Sequence, residues 1–252
     1  DMSTIYEVPL AMLKEKLDKV VLTRLKLKTS VEPDLTQWKE FLFRIEHPKS
    51  SVKIALVGKY VELPDAYKSI NEAFIHAGAS NECEVNVTYI HSEHITEENV
   101  AKKLAGFDGV LVAPGFGPRG IEGKVEAIKY VRENNIPFFG ICLGMQSSVI
   151  EFARNVAGLS DAHSSEMNPD TTNAVIDLME EQKQVTDKGG TMRLGSYDCA
   201  LEKGSLAAKA YGKTKITERH RHRYEFNDNY KAQIEVAGMK ITGTNPQTGL
   251  AE

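Results

Sequence analysis

Cysteine is scarce in this chain of 252 residues: Cys83, Cys142 and Cys199 make three, an odd number at wide spacing and without any C-x-x-C pair. That argues against a disulfide framework and against a thiolate zinc site, and it points to a reducing, cytoplasmic setting with no bound metal. No apolar run approaches the ~18 residues of a membrane span, and the start, DMSTIYEVPL, lacks the basic and apolar blocks of a secretory signal. Excess charge is missing too. The formal net charge is -4 with both signs interspersed, so no broad basic surface draws the chain to nucleic acid or anionic lipid. A small soluble substrate is the expectation. The first residue is Asp rather than Met, which suggests a piece of something longer. The chain has no internal repeat and no low-complexity tract.

What is there supports one main domain with accessory segments, since 41% of the residues are hydrophobic. Residues 1–50 have linker composition, with a short helix predicted from Pro9 to Leu17, a polar connector KTSVEPD and a helix from Leu35 to Ile45. Asp34 or Thr36 can cap that second helix, where Trp38, Phe41, Leu42 and Ile45 form one apolar face. Packing is the reading for Trp38. From residue 51 to 252 short β-branched runs alternate with helical patterns: VKIALVG, then DAYKSINEAFIHAG closing on Gly78, CEVNVTYI, TEENVAKKLAG, DGVLVAP, IEGKVEAIKYVRENN and IPFFGI. Repeated β-then-α units predict an α/β fold, a doubly wound, mostly parallel sheet with helices on both faces. In such sheets chemistry gathers beyond the carboxyl ends of the strands. After Ala157 the pattern loosens, with a Gly pair at Gly189 and Gly190 and strand candidates near Met192, Thr217 and Ile241.

The segment PFFGICLGMQSS puts Cys142 between an apolar strand and a helix, flanked by Gly140 and Gly144 as G-x-C-x-G. This is the cysteine form of the nucleophile elbow, a turn so sharp that a Cβ two residues either side would crowd its neighbours. The helix terminus then favours a thiolate and offers N–H groups to an oxyanion, that of Leu143 first. A buried structural cysteine is the commoner fate. Yet two glycines flank a given position by chance only about 0.5% of the time at average glycine usage, so catalysis is favoured for Cys142 and packing for Cys83 and Cys199. A second loop, VAPGFGPRGIEGK, offers Gly115, Gly117 and Gly120 after the adjacent strand, and it lacks the Gly-Lys-Ser/Thr ending of a P-loop.

GICLGMQ resembles the nucleophile motif of the class-I, triad-type glutamine amidotransferases, whose sheet is flavodoxin-like. IALVGKYVELPDAYKSINEA, GFGPRGIEGK, GGTMRLGSY and ERHRHRYEFN narrow the resemblance to the CTP synthase family, with matches from Ser3 to Gly243. It implies that residues 1–50 are the tail of a synthase domain and an interdomain linker, followed by the glutaminase domain. It also implies hydrolysis of glutamine to glutamate and ammonia through a cysteine thioester. The ammonia then aminates UTP activated by ATP, with GTP stimulating the glutaminase. No cofactor is implied for this chain; Mg and ATP belong to the absent synthase domain, and the family works as a tetramer. By motif Cys142 is the nucleophile, and Gly115 with Leu143 forms the oxyanion hole. Gly144, Met145 and Gln146 line the glutamine pocket, Glu166 holds the α-amino group and Arg223 the α-carboxylate. Arg119 and Gly120 match the loop linked to GTP activation.

Two departures stand out. Where the family reads P-G-G-F-G, this chain has Ala113-Pro114-Gly115-Phe116-Gly117, so the second oxyanion donor rests on Gly115. The family's catalytic His and Glu sit in an H-P-E motif beyond Glu252, so a polypeptide ending there is expected to hydrolyse glutamine barely at all. ERHRHRY sets His220 and His222 on one face of a strand-like run, and neither is assigned catalysis. The rival readings are the amidotransferase of another pathway and a catalytically inert fragment.

Overall fold

The computed structural model of the chain describes residues 2–28, 31–178 and 193–252. The Gly189–Gly190 pair, Met192 and part of the KTSVEPD connector lie outside the described residues. Two compact units are present, Asp1–Lys53 with Tyr67–Val87, and Ile54–Ala66 with Thr88–Glu252.

In the first unit the predicted helix from Pro9 to Leu17 is instead two helices, α1 (Val8–Lys14) and α2 (Leu17–Arg24). Lys16 breaks them apart with a left-handed φ of 55°, a conformation that no glycine announced in the sequence. Helix α3 (Thr36–Glu46) follows, with Asp34 Oδ1 accepting from the Thr36 N–H at 2.9 Å. Trp38 packs as expected: its ring centroid lies 5.9 Å from that of buried Tyr6, and its Nε1 donates to Tyr6 O at 2.7 Å. Helix α4 (Lys68–Ser80) does not close on Gly78. A Cβ there would meet Cys83 O at 2.5 Å, so this glycine permits a close approach inside the last turn rather than ending the helix.

The parallel sheet follows the predicted alternation, with strand order β2-β1-β3-β4 for β1 (Ser50–Gly58), β2 (Cys83–His91), β3 (Gly109–Val112) and β4 (Phe138–Gly140). β1 pairs in parallel with β3, Ile54 opposite Gly109 through Val57 opposite Val112, and β3 pairs in parallel with β4. All four residues of β3 are buried, the mark of a strand covered on both faces. Ala55, Val57, Val110 and Val112 pack with Val100 and Leu104 of α5 (Val100–Leu104) and with Ala127, Ile128 and Val131 of α6 (Ile121–Glu133). Helix α5 is shorter than its pattern because Asn99 accepts from Thr96 N–H and donates to His94 O, which turns the preceding residues away from the helix. Helix α7 (Leu143–Asn155) lies against α6, pinned by Glu151, whose 1% exposed carboxylate receives Arg132 Nε at 3.0 Å and Nη2 at 2.7 Å.

Among the described residues, the loosely patterned remainder forms two further small sheets. β5 (His163–Ser164), β6 (Ala174–Leu178) and β9 (Tyr224–Phe226) make one, and β7 (Arg193–Leu201), β8 (Lys215–His222) and β10 (Gly243–Thr244) the other. β7 and β8 pair antiparallel over eight positions, Arg193 opposite His222 to Ala200 opposite Lys215. Short helices α8 (Leu206–Tyr211) and α9 (Lys231–Val236) complete the chain, and Ile234 of α9 joins the core formed by α6, α7, β6 and β9.

Candidate active site

Cys142 sits at the junction of β4 and α7 with φ 55° and ψ -110°, a strained backbone for a residue with a Cβ. Its neighbours explain why both flanking positions are glycine. A Cβ on Gly140 would meet the carbonyl carbon of Gly144 at 2.6 Å, and one on Gly144 would meet Val112 O at 2.0 Å. The turn is closed by hydrogen bonds from Gly144 N–H to Ile141 O at 2.8 Å and from Ile141 N–H to Val112 O at 3.1 Å. Side chains that strain a backbone in this way concentrate at functional sites, because the surrounding packing must hold them there.

A cavity of about 70 Å³ opens beside Cys142. It brings together five of the residues singled out in the sequence: Gly115, Cys142, Gln146, Glu166 and Arg223. Phe116, Arg221, His222 and Tyr224 complete the lining, and the Arg221 guanidinium lies 5.5 Å from the Phe116 ring centroid. Gln146 donates from Nε2 to Tyr224 O at 2.8 Å, tying α7 to β9 across the cavity. A larger cavity, of about 640 Å³, lies in the first unit, with Asp18, Lys19, Leu22, Leu27 and Lys28 in its lining.

The remaining predicted residues lie outside the lining. Leu143 points into the core at 2% exposure, Gly144 is pressed on Val112, and Met145 packs against the core cluster. Leu143 does approach the second loop, since a Cβ on Gly115 would lie 3.5 Å from Leu143 Cδ2. Arg119 is exposed; it pairs with Glu93 at 2.7 Å and donates to Lys59 O at 3.3 Å. Gly120 begins α6 with φ 74°, where a Cβ would strike Ser92 Oγ at 2.3 Å.

Charges shape the cavity. Partial removal from water raises the Glu166 carboxyl above its usual value, while Lys59 and Arg223 pull it down. Two lysines are buried behind the Gly115 loop. Lys59, 2% exposed, donates to Phe116 O and to Gly117 O at 3.1 Å, and burial followed by Arg119 lowers its ammonium. Lys124 is wholly buried and donates to Ala113 O at 2.7 Å. Burial and then Lys59 pull its pKa down to about 7, against the attraction of Cys142. Its sequence signal is plain: it falls on the apolar stripe of α6 with Ile121, Val125 and Ile128.

His222, set aside on sequence grounds, lines the same cavity as Cys142. Burial disfavours its charge, but the neighbouring Cys142 and the Glu225 carboxylate, whose Oε1 lies 3.4 Å from Nδ1, outweigh this and push its pKa up to about 10. The predicted common face of the two histidines holds, with ring centroids 5.6 Å apart.

The sequence profile of the glutamine amidotransferase class-I family matches residues 62–252. The chain belongs to that family. Among class-I amidotransferases it is similar to the CTP synthases of Cytophaga hutchinsonii, 64% identical, and Flavobacterium johnsoniae, 62% identical, over all of this chain and 47% of each relative. The chain thus spans about half the length of the curated relatives it matches. Its fold is similar to a solved class-I glutaminase domain, that of Trypanosoma brucei CTPS with bound acivicin. The TM-score is 0.73 at 40% identity, covering 80% of this chain and 78% of that one.

Proposed function

We propose that this chain is the glutaminase half of a CTP synthase, with Cys142 as its nucleophile. The observation that carries the reading is a cysteine at φ 55°, at the head of α7 between two sterically required glycines, opening on a cavity that also holds Glu166 and Arg223. A carboxylate and a guanidinium in one small cavity match the ammonium and carboxylate of a free amino acid, which leaves the side-chain amide to face the thiolate.

The chemistry follows from those positions. The thiolate adds to the amide carbon, and the oxygen takes the negative charge between the N–H groups of Leu143 and Gly115. The tetrahedral adduct collapses, breaking the C–N bond as the histidine of the family's H-P-E motif, in the full-length protein, gives a proton to the leaving nitrogen, and ammonia departs from a thioester. Water then cleaves the thioester to glutamate and the free thiol. Gln146, fixed to Tyr224, forms a wall of the pocket, while Gly144 and Met145 shape the turn from behind. In the full-length protein the ammonia aminates UTP, activated by ATP with Mg, in a synthase domain for which residues 1–50 supply the tail and linker. Arg119 and Gly120 belong to the loop through which GTP acts. The assembly is a cytoplasmic homo-oligomer.

Full-length protein carrying Cys142→Ala tests this reading. CTP formation from glutamine should disappear while formation from free ammonia persists; loss of both together, or of neither, contradicts it.

A further inference from the structure

The loop from Ala113 to Gly117 is held at both ends by buried lysines. Ala113 donates its N–H to Val57 O of β1 at 2.9 Å, and its carbonyl accepts from Lys124 Nζ, in the first turn of α6, at 2.7 Å. At the far end Lys59, the residue after β1, donates to Phe116 O and to Gly117 O at 3.1 Å. Lys124 is wholly buried and Lys59 is 2% exposed. The loop rests directly on both side chains: a Cβ on Gly115 would stand 3.0 Å from Lys59 Cε and 3.8 Å from Lys124 Nζ. Burying an amine to this depth against neutral carbonyls destabilises a fold relative to an apolar side chain in the same place, which points to a role in the site.

The peptide that carries the Gly115 N–H joins Pro114 to Gly115, next to the peptide whose carbonyl Lys124 holds. Both peptides are planar, and the Pro114 ring fixes the φ between them. The ψ of Pro114 is then the one soft torsion separating the anchored Ala113 carbonyl from the Gly115 N–H. We propose that Lys124 is a positioning residue for the glutaminase reaction: by holding Ala113 O it aims the Gly115 N–H at the oxygen that turns negative when the thiolate adds, while Lys59 steadies the far end of the loop. This rests on the reading of Cys142 as the nucleophile.

Charged or neutral, the Lys124 amine keeps an N–H for Ala113 O, so the role does not depend on its protonation state. Among the described residues no backbone carbonyl accepts from the Gly115 N–H, and Gly115 itself lines the cavity beside Cys142. The donor so aimed serves the tetrahedral adduct, whereas Glu166 and Arg223 hold the amino-acid end of bound glutamine. Loss of aim should therefore appear in kcat and spare KM.

The test uses full-length protein carrying Lys124→Met, which removes the donor at similar volume, shown to be folded by thermal unfolding. Glutamate release from glutamine should lose roughly 10- to 100-fold in kcat with KM within about twofold, a smaller loss than deletion of an oxyanion donor itself brings. Alkylation of Cys142 by iodoacetamide at the same pH displaces iodide from a saturated carbon and forms no oxyanion, so its rate should stay within about threefold of the parent. Lys59→Met should show the same split more weakly. An unchanged kcat in Lys124→Met overturns the proposal. So does alkylation that falls as far as kcat, which would assign Lys124 to ionising the thiol, or a KM that rises as far as kcat falls, which would mark a damaged pocket. If Lys124→Met does not fold, Lys59→Met decides by the same readings. Cys142→Ala, run alongside, separates the two readings: glutamate release that survives it sinks the nucleophile assignment, whereas its loss there with an unchanged kcat in Lys124→Met sinks this inference alone.

Discussion

Gly144 lies so close to Val112 that a Cβ on it would stand 2.0 Å from the Val112 carbonyl oxygen, well inside any real contact. The atom struck is backbone at the end of the central strand β3, which cannot move aside without shearing the sheet. Gly144→Ala should therefore cost about 3 kcal/mol or more and lower the melting temperature by several degrees. Gly140→Ala should act similarly, because its Cβ would meet three backbone atoms of Gly144 and Met145 at 2.6–2.8 Å. Thermal unfolding checks both, with Gly158→Ala as a control for a glycine that meets nothing within 4 Å but has φ 77°; that variant should show only the modest cost of a left-handed residue.

Lys124 gives a dependence of stability on pH. Its ammonium is held down at about 7 in the fold and titrates near 10.5 when exposed, so between those values the unfolded chain binds the extra proton. Stability from this group is thus complete above about pH 10.5 and is lost as pH falls toward 7. Lys124→Met should remove that penalty. The melting temperature should rise most near pH 6 and the gain should fade toward pH 10, with loss of the Ala113 hydrogen bond offsetting about 1 kcal/mol. A lower melting temperature at pH 6 would show that the buried ammonium is a net stabiliser.

Glu166 and Arg223 should separate binding from chemistry. Glu166→Gln and Arg223→Ala are expected to lower kcat/KM for glutamine by about 10- to 100-fold, chiefly through KM, and to leave the use of free ammonia unchanged. Because the Glu166 carboxyl is raised, glutamine binding should weaken as pH falls through that raised value, and Glu166→Gln should erase this dependence. Steady-state kinetics with each nitrogen source at several pH values provides the check.

The parallel sheet and its turn were legible because their physics is local. Alternating β-branched runs and amphipathic stretches set β1, β3, α6 and α7, and the G-x-C-x-G spacing announced the strained Cys142 before any coordinates. The break at Lys16 was not legible, since nothing in EKLDK marks a left-handed residue. Nor was the end of α4, where Gly78 serves a contact with Cys83 that only the fold creates. His222 was read on the correct strand face with His220, yet its place in the same cavity as Cys142, eighty residues away in sequence, is set by the fold alone. Lys124 was not singled out in the sequence; it is the one charged residue among those α6 buries, and its significance emerged from its depth beneath the Gly115 loop.

The most direct test of the account is where a glutamine analogue lands. Full-length protein treated with 6-diazo-5-oxo-norleucine and digested for mass spectrometry should carry the label on Cys142 alone, with glutamine protecting in proportion to its occupancy and Glu166→Gln slowing the labelling. Label on Cys83 or Cys199, or labelling of Cys142 that glutamine does not suppress, would contradict the assignment of this cavity as a glutaminase site.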